Sequence, residues 1–219
     1  MDEFSKHIAD IRKDYNLSSL DEFQIGEDPI AFFEQWFEEA EKTILVDVNA
    51  MFLATTDSTG QPHVRTVLLK GLEDGKFIFY TNYNSNKGKQ IDQQPKVSAL
   101  FFWKELQRQV RVEGYIQRTS KATSDEYFQS RPFGSKLGAL ASPQSQILAS
   151  RAELEAKIIA LSSQYKEDDA IPRPDHWGGY EIIPHKIEFW QGRSSRLHDR
   201  IVFEKTALDH AWKKYRIAP

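Results

Sequence analysis

Apolar residues change period twice along this chain, and the changes mark out its elements. Between Asp28 and Ile44 they fall at Ile30, Phe33, Phe37, Ala40 and Ile44, one face of a helix, with Asp28 placed to cap and Pro29 suited to the first turn. From Met51 the period shortens to two: Met51–Thr56, His63–Lys70 and Lys76–Thr81 read as strands, divided by turns at Asp57-Ser58-Thr59-Gly60 and Glu73-Asp74-Gly75. Links that short predict a three-stranded antiparallel meander. Val97–Trp103 and Gln107–Gln117 add two longer strands about a turn near Lys104-Glu105, and Asn84–Gln94 reads as a short helix that starts at Ser85. Helical spacing returns over 120–130, 134–140 and 150–165. The last opens on Ser150 and Glu153, spaced as a capping box, with Leu154, Ile158 and Leu161 as its apolar stripe. Strands resume from Trp177 to Phe203, and a last one is expected to end at Arg216–Pro219. Residues 1–26 are polar and weakly patterned; Ile8, Ile11 and Tyr15 suggest one short amphipathic helix in an otherwise mobile arm.

Many strands on short links, with helices set apart from them, predict a mainly β domain with peripheral helices over residues 27–219, a barrel or sandwich and not a parallel sheet. Its 219 residues suffice for one sizeable core. Neither G-x-G-x-x-G nor a Walker pattern occurs. A formal net charge of -3 argues against general nucleic-acid binding, so any anion site must be a local concentration of cations. With no cysteine, thiolate chemistry, iron–sulfur clusters and disulfides drop out, and an oxidoreductase would need an organic cofactor. No H-x-x-x-H pairing suggests a metal. Met1-Asp2-Glu3-Phe4 has no basic n-region or apolar h-region, and the longest apolar run, Val97–Trp103, is too short to span a bilayer. A cytoplasmic protein is expected.

Local cation clusters do exist. Ile187–Arg200, reading I-E-F-W-Q-G-R-S-S-R-L-H-D-R, sets Trp190 beside Arg193, Arg196, His198 and Arg200. As a strand after the turn at Gly192-Ser195, it would put Arg196, His198 and Arg200 on one face. That face is either a solvated edge protected by charge or a cation-lined wall for a planar anion, the reading Trp190 favours. Arg65 shares a strand face with Val67 and Leu69 and so needs a partner or a ligand. Lys87 and Lys89 sit near a helix N-terminus, against the macrodipole unless an anion lies there; the alternative is that both point into water. Ser142, Gln144 and Ser145 are small polar groups able to reach a phosphate.

These segments together resemble the pyridoxamine 5′-phosphate oxidase family. Glu188-Phe189-Trp190-Gln191, four spacers, then Arg196-Leu197-His198-Asp199-Arg200 carry the resemblance most specifically, and it extends from about Phe32 to Pro219. It implies a dimeric FMN-binding split β-barrel that oxidises pyridoxamine or pyridoxine 5′-phosphate to pyridoxal 5′-phosphate, with oxygen as acceptor and hydrogen peroxide as product. The resemblance implies that Arg65, Thr66, Val67, Leu68, Leu69, Lys70, Tyr80, Thr81, Ser85, Asn86, Lys87, Gln144 and Ser145 hold FMN. Gln109, Trp190 and Arg200 would meet its ring. Lys70, Tyr127, Arg131 and Ser135 would grip the substrate phosphate, and Arg196 and His198, the implied catalytic pair, would lie against the pyridine. Ser85-Asn86-Lys87 departs from the family's Ser-Arg-Lys, which replaces a cation by a neutral amide. The alternative is a non-catalytic FMN or pyridoxal phosphate binding protein of the same fold.

Overall fold

The computed structural model describes residues 2–11, 14–43, 46–167, 170–207 and 210–219. Its helices are α1 (Glu3–Asp10), α2 (Pro29–Glu41), α3 (Asn86–Gln93), α4 (Lys121–Ser130), α5 (Phe133–Ala141) and α6 (Arg151–Gln164). The strands are β1 (Ala50–Thr56), β2 (Pro62–Leu68), β3 (Gly71–Glu73), β4 (Lys76–Asn82), β5 (Lys96–Trp103), β6 (Arg108–Arg118), β7 (Trp177–Gln191), β8 (Asp199–Glu204) and β9 (Lys213–Arg216). Hydrogen bonding orders them β2-β1-β5-β6-β7-β4-β3, with β8 on β7 and β9 on β8. The chain divides into two compact units interleaved in sequence, Met1–Val48, Leu100–Val112 and His185–Pro219 forming the first and Asn49–Ala99 and Glu113–Pro184 the second.

The expected meander holds only in its first hairpin. β1 and β2 pair antiparallel with Leu53 opposite Arg65, but β4 pairs with β3 and β7. The reason lies in two consecutive amides: Leu69 N donates back to Asn49 O, whereas Lys70 N donates to Ile78 O. The chain changes partners between those residues, and Gly71–Glu73, absent from the predicted strands, pairs with β4. The last strand, β9, spans Lys213–Arg216 and so ends at the start of the stretch where its end was expected.

The first unit is held by an aromatic cluster. Asp28 caps α2 through Ile30 N, as expected, and α2 buries Phe32, Phe33, Trp36 and Ala40. Phe37 is half-buried, and Ile44, which the pattern placed on the same face, lies outside the described residues. Phe32 meets Phe189 at 4.8 Å between ring centroids, Trp36 meets Phe189 at 5.4 Å, and Phe33 meets Phe101 at 5.0 Å. Such pairs add roughly 0.5–1.5 kcal/mol each beyond burial. Of the N-terminal residues, α1 buries none of its side chains and stops at Asp10, short of Tyr15. Beyond it the stretch expected to be mobile is anchored: Leu20 and Ile25 are buried, and Gln107 Oε1 accepts from the amides of Asn16 and Leu17.

In the second unit Phe128, Leu137, Ala139, Ile171 and Trp177 form a core under α4 and α5, with Ile158 and Leu161 of α6 packed against it. The expected capping box of α6 is only half made. Ser150 gives no side-chain cap, while Glu153 accepts from Ala149 N at 3.4 Å. α3 is better built. Ser85 Oγ accepts from Gly88 N and donates to Asn82 O at 2.6 Å, which fixes the helix start on the end of β4. A Cβ at Gly88 would lie 2.0 Å from Tyr83 O. Gly88→Ala should therefore shift α3 and cost about 2 kcal/mol or more, the scale of overpacking in a tight core, read as a lowered urea midpoint with an unchanged slope.

Candidate functional site

β2 sets Arg65 half-buried between its exposed neighbours Val64 and Thr66. Its guanidinium donates to Leu53 O at 3.1 Å, to Thr55 Oγ1 at 2.5 Å and to Gln90 Oε1 at 3.1 Å, and Thr55 donates to the same Gln90 oxygen at 2.6 Å. Every one of these partners is neutral. The partner that Arg65 needed is thus supplied for its hydrogen atoms but not for its charge, and burial lowers its pKa. Lys87, in the first turn of α3, turns back towards β4. Its Nζ donates to Thr81 Oγ1 at 3.1 Å, to Ser85 Oγ at 3.4 Å and to Gln144 Oε1 at 3.2 Å, again all neutral. Burial, and then the nearby Arg65, push its pKa down to about 8. Lys89 is exposed, which is the other outcome allowed for that pair. Arg65, Asn86, Lys87 and Ser145 line one cavity of about 290 Å³, with His63 and Gln90.

A second cationic pocket forms around Arg131. Arg131 is the C-cap of α4 and Ser135 lies in the first turn of α5, so Pro132 separates two helices as the sequence suggested. The Arg131 guanidinium lies 4.4 Å from the Trp177 ring centre, and its Nη1 is buried with no hydrogen-bond partner. Burial lowers its pKa too. Arg131, Ser135, Tyr80, Thr81, Gln144 and Trp177 line a cavity of about 370 Å³. The Tyr80 and Tyr127 rings stack at 3.7 Å and 8°, and burial pushes the Tyr80 hydroxyl up to about 12, keeping it protonated. Arg65, Lys87 and Ser145, implied for the cofactor, and Arg131 and Ser135, implied for the substrate phosphate, thus all lie in this unit. Lys70 is exposed, as are Thr66 and Leu68, while Val67 is half-buried and Leu69 buried.

In the first unit the structure corrects the expected strand face. A 3-10 helix spans Ser194–Arg196, with Ser195 and Arg196 both at positive φ, and β8 begins only at Asp199. Period-two alternation therefore does not join Arg196 and His198 to Arg200. Arg200 pairs with the buried Glu188 at 2.8 Å, opposite Trp190 in the β7–β8 register, and Arg111 takes the other Glu188 oxygen. Gln109 is half-buried on β6. Arg196 and His198 instead line a cavity of about 580 Å³ with Tyr15, Asp14 and Arg193. The His198 ring lies 4.6 Å from Trp190 and 5.9 Å from Tyr15. Its Nδ1 accepts from Arg193 N at 3.1 Å, so the neutral ring carries its proton on Nε2. Burial, and then Arg196, lower its pKa.

Several lining residues escaped the sequence reading. Tyr15, Asp14 and Trp177 come from elements whose packing no local pattern reports. His63 did leave a signal, standing two residues before Arg65 on the same strand face.

The fold has solved counterparts. PhzG of Burkholderia lata 383, solved with tetrahydrophenazine-1-carboxylic acid, superposes with a TM-score of 0.86 at 26% identity, covering 94% of this chain and all of that one. A pyridoxamine 5′-phosphate oxidase-related, FMN binding protein of Nostoc punctiforme PCC 73102 shares the fold at TM-score 0.71 and 18% identity, over 89% of this chain and all of that one. The class is that of the split β-barrel oxidoreductases. Residues 37–165 match the family model described as pyridoxamine 5′-phosphate oxidase, and residues 177–219 match the pyridoxine 5′-phosphate oxidase C-terminal dimerisation region. A Leptospira interrogans protein named pyridoxine/pyridoxamine 5′-phosphate oxidase is 52% identical over 97% of this chain and 98% of its own length. The chain belongs to the pyridoxamine 5′-phosphate oxidase family. Among the described residues no helix is long and apolar enough to cross a membrane.

Lys87 supplies a test of the charge argument. Its folded pKa of about 8 lies below the value of an unconstrained lysine, 10.5, so the unfolded chain binds more protons between those limits and stability rises with pH across them. Below pH 8 the burial penalty is fully present. Lys87→Met should stabilise the ligand-free protein there by ~1 kcal/mol after allowance for solvent screening, and flatten that rise. Urea unfolding at pH 7 and pH 10 checks both.

Proposed function

We propose that the chain is an FMN-dependent oxidase of pyridoxamine and pyridoxine 5′-phosphates that yields pyridoxal 5′-phosphate. The observation carrying this reading is that the second unit holds two cationic positions, Arg65 with Lys87 and Arg131, whose hydrogen-bond partners include no carboxylate among the described residues. Two phosphorylated ligands, a flavin mononucleotide and a B6 phosphate, fit two such positions. The name of the Leptospira relative supports a B6 phosphate as one of the two.

Arg65, Lys87 and Ser145 would hold the cofactor phosphate, with Thr81, Ser85 and Gln144 fixing the lysine. Arg131, Ser135 and Tyr127 would receive the substrate phosphate, joined by Lys70. An orphaned guanidinium nitrogen such as Arg131 Nη1 gains a full charge-assisted hydrogen bond from a phosphate oxygen, about 1.5–3 kcal/mol in a shielded site. Thr66, Val67, Leu68 and Leu69 would lend backbone, and Tyr80, Gln109, Trp190 and Arg200 would border the flavin ring. The chemistry that FMN supplies when bound is acceptance of a hydride from the substrate's aminomethyl or hydroxymethyl carbon, with oxygen as final acceptor and hydrogen peroxide as product.

The protein's own share is orientation and proton placement. Holding two reactants face to face can contribute up to roughly 7–11 kcal/mol of barrier lowering. His198, with Nδ1 already accepting from Arg193 N, can offer only the proton on Nε2, so it serves as a donor to an anionic ring substituent and not as a base. Arg196 is exposed and adds a second donor.

A homodimer belongs to this reading. The C-terminal match is to a dimerisation region, and the outward face of the β1–β2 hairpin exposes Phe52, Val64 and Leu68. Apolar side chains grouped on one sheet face favour a partner surface.

Purified protein should be yellow, release FMN and not FAD, sediment as a dimer, and form pyridoxal 5′-phosphate from either B6 phosphate. A colourless protein that takes up no FMN would overturn the reading. Arg196→Ala and His198→Ala should keep the flavin while turnover falls about a hundredfold, the lower end for a positioned proton-handling group; absorbance spectra with steady-state rates separate the two effects.

A further inference from the structure

His63 lines the same cavity of about 290 Å³ as Arg65 and Lys87, yet neither composition nor spacing had marked it as a site residue. Its Nε2 sits 3.2 Å from Asp57 Oδ2. Asp57 is itself held firmly: Oδ1 accepts from Thr59 N at 2.9 Å, Thr59 Oγ1 at 2.7 Å and Gln61 N at 3.1 Å. Those bonds, the Thr59 hydroxyl first and then His63, keep it well below the usual carboxylate range. The turn between β1 and β2 is thereby a rigid bracket for one imidazole. Period-two geometry turns His63 to the face of β2 that carries Arg65.

We infer that His63, bracketed by Asp57, is a further anion-binding residue of this chain that donates from Nδ1 to the phosphate of the flavin nucleotide. The inference rests on the proposed assignment of this cavity to FMN. With Nε2–H committed to the Asp57 carboxylate, Nδ1 is the ring nitrogen left to meet a phosphate, and a ring that donates from both nitrogens carries a positive charge. The charged groups around it are Asp57 on the turn, Arg65 on the same strand and Lys87 on α3; Asn86, beside Lys87, contributes only a neutral amide. The cavity would then present Arg65, Lys87 and one imidazolium whose own charge Asp57 offsets. Its contribution is directional more than it is net charge, and it distinguishes a phosphate monoester from an uncharged ribityl chain.

The test uses the apo-protein and two flavins that differ only by the phosphate. Titrated by fluorescence quenching, His63→Ala should bind FMN about five- to tenfold more weakly than the unaltered protein, the range for a charge-assisted hydrogen bond in a half-exposed site. Riboflavin affinity should change by less than about twofold, because no phosphate is present to be recognised. Asp57→Asn should weaken FMN in the parent protein but not in the His63→Ala background, since the carboxylate acts through the ring. Equal loss for FMN and riboflavin, or unchanged FMN affinity in His63→Ala, would overturn the inference and leave the pair as a turn clamp. If the unaltered protein itself bound FMN no tighter than riboflavin, the assignment of the cavity would fall, and this inference with it.

Discussion

Half-buried positive charge without a carboxylate is the constraint around which the second unit is organised. Several other cations are paired with carboxylates: Arg108 with Glu39, Arg173 with Asp125, Arg118 with Asp92, and Arg111 and Arg200 share Glu188. Arg65, Lys87 and Arg131 are treated differently. Among the described residues their surroundings provide oxygens and a ring face but no compensating anion, and the resulting penalty shows in the lowered pKa of all three. Such an arrangement persists in an ordered fold when a ligand completes it, at the cost of stability in the ligand-free state.

The framework that holds these charges is rigid at the points where it matters. Ser85 and Gly88 fix the start of α3 against the end of β4, so Lys87 reaches Thr81 and Gln144 without choice of direction. The change of partner between Leu69 and Lys70 frees β2 to pair only with β1, leaving its Arg65 face over Thr55 and Gln90. Trp177 opens β7 and forms part of the core beneath α4 and α5, and the same ring supports the Arg131 guanidinium. In the first unit a comparable economy links Asp199, which accepts from Leu20 N, Arg193 and Arg216, to the loop that carries His198.

Much of this was legible in the sequence, because periodicity, capping residues and turn chemistry are local. The start of α2 at Asp28-Pro29, the Ser85 cap and the break at Pro132 all stood as expected. Arg65, Lys87 and Ser145 share a cavity and Lys87 donates to Gln144, an adjacency that spacing alone could not give. What failed depended on long-range pairing. A short link after β2 looked like a hairpin, yet backbone amides two residues long redirect the chain to another neighbour. Alternation through Arg196, His198 and Arg200 suggested one strand face, but positive φ at Ser195 and Arg196 breaks the strand before it begins. The approach of Tyr15 to Trp190 and His198 joins residues far apart in sequence, and no window of the chain contains it.

The central claim, that these cations await an anion, is tested most directly by proton uptake on cofactor binding. A phosphate dianion beside Lys87 must raise the pKa that burial has pushed down to about 8. Calorimetric titration of apo-protein with FMN at pH 8, in buffers of different ionisation enthalpy, reads the protons exchanged. The account predicts net uptake, on the order of half a proton per site at pH 8, which grows towards the raised pKa of the complex, vanishes well below pH 8, and is lost in Lys87→Met. Binding with no proton exchange, or with release, would contradict it.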